Sequence, residues 1–174
     1  MILVEADADD EWEGRTRWQT LAQKAVQSAV ANSKHSALIE SDLSVEVSVK
    51  FTNDDEVRAL NAAYRNKNKT TNVLSFPMFE ADLLEPLAMA DGGEVLLGDV
   101  VLAKGVCASE AADKGVPVEE HAAHLVVHGT LHLLGYDHET GDHEAETMEA
   151  VERKALAALG LGDPYAEHEV QTQS

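Results

Sequence analysis

At 174 residues, with 44% hydrophobic and 26% charged content, the chain is long enough for one domain with a single packed core. Its formal net charge of −19 excludes indiscriminate coating of nucleic acid, which needs a basic surface, but not a local basic groove. The N-terminus lacks a basic region followed by an apolar run, no stretch nears the ~18 apolar residues of a membrane span, and Cys107 has no partner, so a cytoplasmic protein without signal peptide, span or internal disulfide is expected.

Residues 1–6 read as a short strand and 7–14 as an acidic loop. From Thr16 to about Ser33 the apolar positions Trp18, Leu21, Ala22, Ala25, Val26 and Ala29 recur at helical spacing. Leu43, Val45, Val47, Val49 and Phe51 alternate with Ser44, Glu46, Ser48 and Lys50, the pattern of a strand with one buried face. Asn53 followed by Glu56 resembles a capping box that opens a helix through Val57, Leu60 and Tyr64. The next stretch is polar and basic: between Arg58 and Lys69 there are four basic residues and no acidic one. Asn72 to Pro77 reads as a strand stopped by proline.

Residues 78–93 read as a mixed connection, long enough for a lid. Glu94 to Leu102 is a further strand, interrupted at Gly98-Asp99. A helix from about Ala103 to Lys114 closes at Gly115, and Pro117 prevents its continuation. The following helix has Glu119 and Glu120 in its first turn, where they suit the dipole. The last helix runs from about Asp142 to Leu159, with Ala145, Met148, Val151, Leu156 and Leu159 facing inward and Gly160 as its stop. Residues 1–165 are expected to form one α+β domain, a small mixed four-stranded sheet packed with about five helices, and 166–174 a polar, frayed tail.

The chemistry concentrates in His124-Leu-Val-Val-His128-Gly-Thr-Leu-His132-Leu-Leu-Gly135-Tyr-Asp-His138. His128 and His132 are one helical turn apart on one face, so their imidazoles can converge on one ion. Gly135 offers the positive-φ position that ends the helix and turns His138 toward a third corner. Three imidazoles with an open fourth position make a catalytic rather than a structural zinc site. His124 is eight residues from His132, about 12 Å along the axis, too far to share an ion with it. It is assigned a role behind the ligands or toward the substrate. Zinc peptidases of this spacing carry a glutamate general base after the first histidine, and Gly129 stands there instead.

The histidine motif, with Leu60-Asn-Ala-Ala-Tyr64-Arg65, Thr71-Asn72-Val-Leu-Ser-Phe-Pro77, Leu97-Gly-Asp-Val-Val101 and Ala-Leu-Gly160, resembles the YbeY family of metal-dependent endoribonucleases of ribosomal RNA maturation. The resemblance covers about residues 40–165. It implies a single α/β domain with a mixed four-stranded sheet and one Zn2+ on His128, His132 and His138. It further implies a functional Arg65, and a cytoplasmic role in 16S rRNA 3′-end maturation and ribosome quality control. The partners implied are precursor rRNA and the small ribosomal subunit, with ribosomal proteins or an assembly GTPase as further candidates and no membrane. One departure is Asn72, where the family usually has aspartate; asparagine keeps the acceptor oxygen but not the charge.

Phosphodiester hydrolysis needs a nucleophile near neutral pH and positive charge where negative charge builds. Zinc supplies the first and helps with the second. Arg65 offers a planar fork to the phosphate; without the resemblance it reads as a surface arginine paired with a carboxylate. Lys67 and Lys69 are candidate backbone contacts, or parts of a solvated basic loop. Asp137 is either a carboxylate orienting a ligand imidazole or the acceptor of a tight turn. Attack by zinc-activated water and attack by the RNA's own 2′-hydroxyl both stay open. So do two other functions: a non-catalytic ribosome-assembly factor with a structural zinc, and a metallopeptidase, which Gly129 disfavours.

Overall fold

The alternating pattern of Leu43 to Phe51 does form the centre of the fold. In the computed structural model, which describes residues 1–12, 16–90, 92–137 and 140–165, this stretch is strand β2 (Leu43–Thr52). Its five apolar positions are almost wholly shielded from solvent. Strand β1 (Ile2–Ala8) pairs with it in parallel on one side. Strand β4 (Gly93–Ala103) pairs in parallel on the other, and β3 (Val73–Pro77) pairs antiparallel with β4. The order β1-β2-β4-β3 makes a mixed four-stranded sheet with β3 at one edge.

The expected break at Gly98-Asp99 is a bulge instead, because the strand runs through it. The register with β2 shifts between Glu46 and Val47, which leaves Leu97 as the extra residue. One extra residue inverts the inward parity of a strand. Val95 and Leu97 before the bulge therefore join the same core as Val100 and Leu102 after it, while Val101 and Ala103 turn to the opposite face.

Six helices are found among the described residues: α1 (Trp18–Ala31), α2 (Asp54–Arg65), α3 (Leu84–Ala88), α4 (Lys104–Lys114), α5 (Val118–Leu133) and α6 (Asp142–Ala158). The main core sits between the sheet and α1, α5 and α6, where Ala22, Val26, Val126, Leu131 and Met148 are fully buried. A smaller cluster of Val57, Leu74, Val101 and Ala103 lies under α2 on the other face.

Two expected loops carry structure. The acidic stretch contains a 3-10 turn at Asp10–Trp12, whose Trp12 is buried, donates to the Thr52 carbonyl at 2.7 Å and stacks edge-on against Trp18 and Phe51. Aromatic burial overrides the local acidity there. The 78–93 connection contains α3, because Leu84 drops into the core and Glu85 meets the buried His35. His35 in turn bonds the Leu134 carbonyl, fastening the end of α5.

Candidate metal centre

Helix α5 is apolar on most of its circumference and carries a row of histidines, His121, His124, His128 and His132, at spacings of three and four. Such spacing sets one side chain above the next. The ring centroids of His128 and His132 are 4.7 Å apart, and their Nε2 atoms 3.1 Å apart. Each ring is held from behind. The Nδ1 of His128 lies 2.9 Å from Glu152 Oε1, and the Nδ1 of His132 lies 3.0 Å from the Tyr136 carbonyl oxygen. The second contact comes from the chain reversal at Gly135 (φ 95°), where the Tyr136 amide donates to the Leu131 carbonyl and folds its own carbonyl back under α5. Glycine adopts that φ without steric cost.

These partners decide the tautomers. A carboxylate and a carbonyl only accept, so each Nδ1 is the donor. In neutral rings both Nε2 atoms then carry lone pairs, and at 3.1 Å apart they can converge on one cation. Two imidazoles on one tetrahedral zinc place their nitrogens about 3.3 Å apart, given bonds of about 2.0–2.1 Å. The donor set therefore fits a divalent metal. Among the described residues no group of three candidate ligands assembles; the third expected ligand, His138, lies outside them, as does the tail 166–174.

Glu152 is the residue that sequence reasoning missed. It sits on α6 with its side chain 1% exposed. It accepts from His124 Nε2 at 2.8 Å, His128 Nδ1 at 2.9 Å and the Tyr165 hydroxyl at 2.9 Å. Burial pushes its carboxyl up, but the hydrogen bonds from the two histidines outweigh this and hold it below the usual carboxylate range. Burial and the neighbouring Glu152 charge push the Tyr165 phenol above its ordinary value. His124 thus reaches His128 through a shared carboxylate.

The pair opens into a cleft of about 790 Å³ that runs along the outer edge of β3. His128, His132, Tyr136 and Asp137 line it on the α5 side; Tyr64 and Arg65, at the end of α2, line it on the other. A model of the family described as Endoribonuclease YbeY matches residues 6–160. The chain belongs to the YbeY endoribonuclease family. A YbeY endoribonuclease from Rhizorhabdus wittichii is 57% identical over 166 residues, covering 95% of this chain and 98% of that relative. One from Zymomonas mobilis is 52% identical over 169 residues, covering 97% and 96%. A Thermotoga maritima protein solved in solution shares the fold, with a TM-score of 0.50 at 22% identity over 91% of each chain.

Of the other expected site residues, Arg65 and Asp137 line this cleft, and Lys67 and Lys69 are not among its lining residues. Arg65 is exposed in the last turn of α2 and makes no ion pair among the described residues, unlike the carboxylate-paired surface arginine of the alternative reading. Lys67 and Lys69 follow it in an exposed loop that is nonetheless fastened. The left-handed Asn66 turns the chain, the Lys67 amide donates to the Asn61 carbonyl, and the buried Asn61 side chain donates to the Lys69 carbonyl at 2.9 Å. Asp137 is half-buried on the cleft wall.

Asn72 has a physical reason of its own. Its amide donates to Glu110 at 3.0 Å, and Glu110 also meets the buried His121 at 2.8 Å. An aspartate there would oppose one carboxylate with another. Burial, outweighing the bond to Glu110, lowers the pKa of His121. Gly129 is equally determined. A Cβ at that position would lie 2.7 Å from Val100 Cγ1 and 3.0 Å from Ser75 Oγ, so the helix packs against the sheet where a peptidase would carry its glutamate.

Proposed function

We propose that this chain is a zinc-dependent endoribonuclease acting on ribosomal RNA precursors in the cytoplasm, in 3′-end maturation of 16S rRNA. The observation that carries the reading is the pair of facing Nε2 atoms 3.1 Å apart, each ring fixed by an acceptor at Nδ1, at the floor of a cleft rimmed by Arg65. Family membership and the names of the relatives support RNA as the substrate class. No helix among the described residues is long and apolar enough to cross a membrane.

His128, His132 and His138 would hold the ion. When bound, it supplies Lewis acidity and a nucleophile near neutral pH. Arg65 presents two parallel N–H donors to the phosphate oxygens and offsets the charge that builds on phosphorus. Lys67 and Lys69 attract flanking phosphates along the fastened loop. The chain as a whole carries a net −19, so most of its surface repels RNA and approach is confined to this basic rim.

Elemental analysis of freshly purified protein should find about one zinc per chain, lost in His138→Ala. Cleavage of an rRNA precursor should disappear in His132→Ala and fall severely in Arg65→Ala. Wild-type cleavage by both variants would overturn the assignment.

A further inference from the structure

Helix α2 spends its apolar stripe unevenly. Val57 is fully buried and Leu60 packs against the smaller cluster. Tyr64, the next residue of the stripe, lies beyond that cluster and is 72% exposed. It is the one exposed aromatic side chain among the described residues. Its ring is nevertheless supported, edge to face against Phe76 of β3 with centroids 5.5 Å apart and planes at 67°. Both rings line the cleft that holds His128 and His132.

An aromatic that contributes little to the core, is braced by a second ring and neighbours a phosphate-binding arginine suits a nucleobase. Every base presents a π-face, and stacking on an aromatic needs no sequence-specific hydrogen bond. Bases in a duplex already stack on one another, so the platform is usable only by a base turned out of a stack. The order Tyr64-Arg65 along the chain alternates a base contact with a phosphate contact, followed by Lys67 and Lys69 for the next phosphates.

We propose that Tyr64 is a base-stacking platform that takes one unpaired nucleobase beside the phosphodiester at the histidine pair. This rests on the endoribonuclease reading and assigns that site a binding residue. Stacking of this kind contributes roughly 5- to 150-fold in affinity.

The test uses the full chain with a single-stranded RNA oligonucleotide in which an abasic nucleotide is moved one position at a time across the cleavage point. Tyr64→Phe should keep the wild-type KM. Tyr64→Leu and Tyr64→Ala should raise KM by roughly 5- to 150-fold with kcat changed far less. At one position the abasic substrate should cost wild type the same factor, with no further loss in Tyr64→Ala. Melting temperatures within about 2 °C of wild type, expected for so exposed a side chain, exclude a folding defect. A wild-type KM for Tyr64→Ala, or losses that multiply at every abasic position, overturns the platform while leaving the nuclease reading intact. If wild type binds RNA without cutting it, the nuclease reading falls and the dissociation constants of the same variants decide the platform. If wild type neither binds nor cuts RNA, both fall.

Discussion

Removing the Glu152 carboxylate is the sharpest perturbation the structure offers. The group is 1% exposed and accepts three hydrogen bonds of 2.8–2.9 Å, from His124, His128 and Tyr165. A hydrogen bond to a charged group contributes about 1.5–3 kcal/mol, so three gross about 4.5–9 kcal/mol. Taking the carboxylate out of water costs several kcal/mol, and three donors on one acceptor do not contribute additively. The net loss in Glu152→Ala is therefore about 3–5 kcal/mol, the range for orphaning groups around a buried charge. Glu152→Gln keeps the shape but has only one acceptor oxygen, so an N–H of the amide is turned on at least one donor and the loss is about 2–3 kcal/mol. Tyr165→Phe deletes a single bond, for about 1.5–3 kcal/mol. Urea unfolding of the metal-free proteins gives all three values. Zinc affinity measured by chelator competition should fall about 10- to 100-fold in Glu152→Gln, because the His128 ring is no longer held from behind. A Glu152→Ala protein within 1 kcal/mol of wild type would refute the reasoning, since the three donors would then have found water or other partners.

Three further outcomes are expected. Asn72→Asp should destabilise the protein by about 1–2 kcal/mol near neutral pH by setting a second carboxylate against Glu110, and Glu110→Gln in the same chain should restore stability; thermal unfolding of the single and double variants checks this. Gly129→Ala should lose about 1–2 kcal/mol in urea, since overpacking against the fully buried Val100 outweighs the helix propensity gained, and Gly129→Glu should acquire no peptidase activity on a casein substrate. Burial pushes the Cys107 thiol up to about 12 from 9.0, so its contribution is complete below about pH 9 and is lost as pH rises from there toward 12. The stability difference between wild type and Cys107→Ala should shift by about 1.4 kcal/mol per pH unit across that window, and the native thiol should resist alkylation at pH 8.

The sequence by itself determined the elements whose signals are local. The strict alternation of Leu43 to Phe51 put one face of β2 in the core, and the Asn53 side chain does accept the Glu56 amide at 2.8 Å to open α2. The pairing of His128 with His132 was legible for the same reason, since both lie on one helix whose geometry is fixed by hydrogen bonds four residues apart. Tertiary structure decided what distant segments do to one another. Glu152 carries no signal in the sequence, because nothing within its own helix announces that α5 will set two imidazole donors against it. Tyr64 reads as the inward end of an apolar stripe, and only the tertiary structure sets it outside the Val57 cluster, exposed in the cleft against Phe76. Asn72 and Glu110 are 38 residues apart in the chain, and the hydrogen bond that the Asn72 amide donates to the Glu110 carboxylate depends on α4 lying beside the start of β3. Periodicity reports which face of an element avoids water; it carries no information about which partner that face will meet, and the chemistry of this cleft is made of such partners.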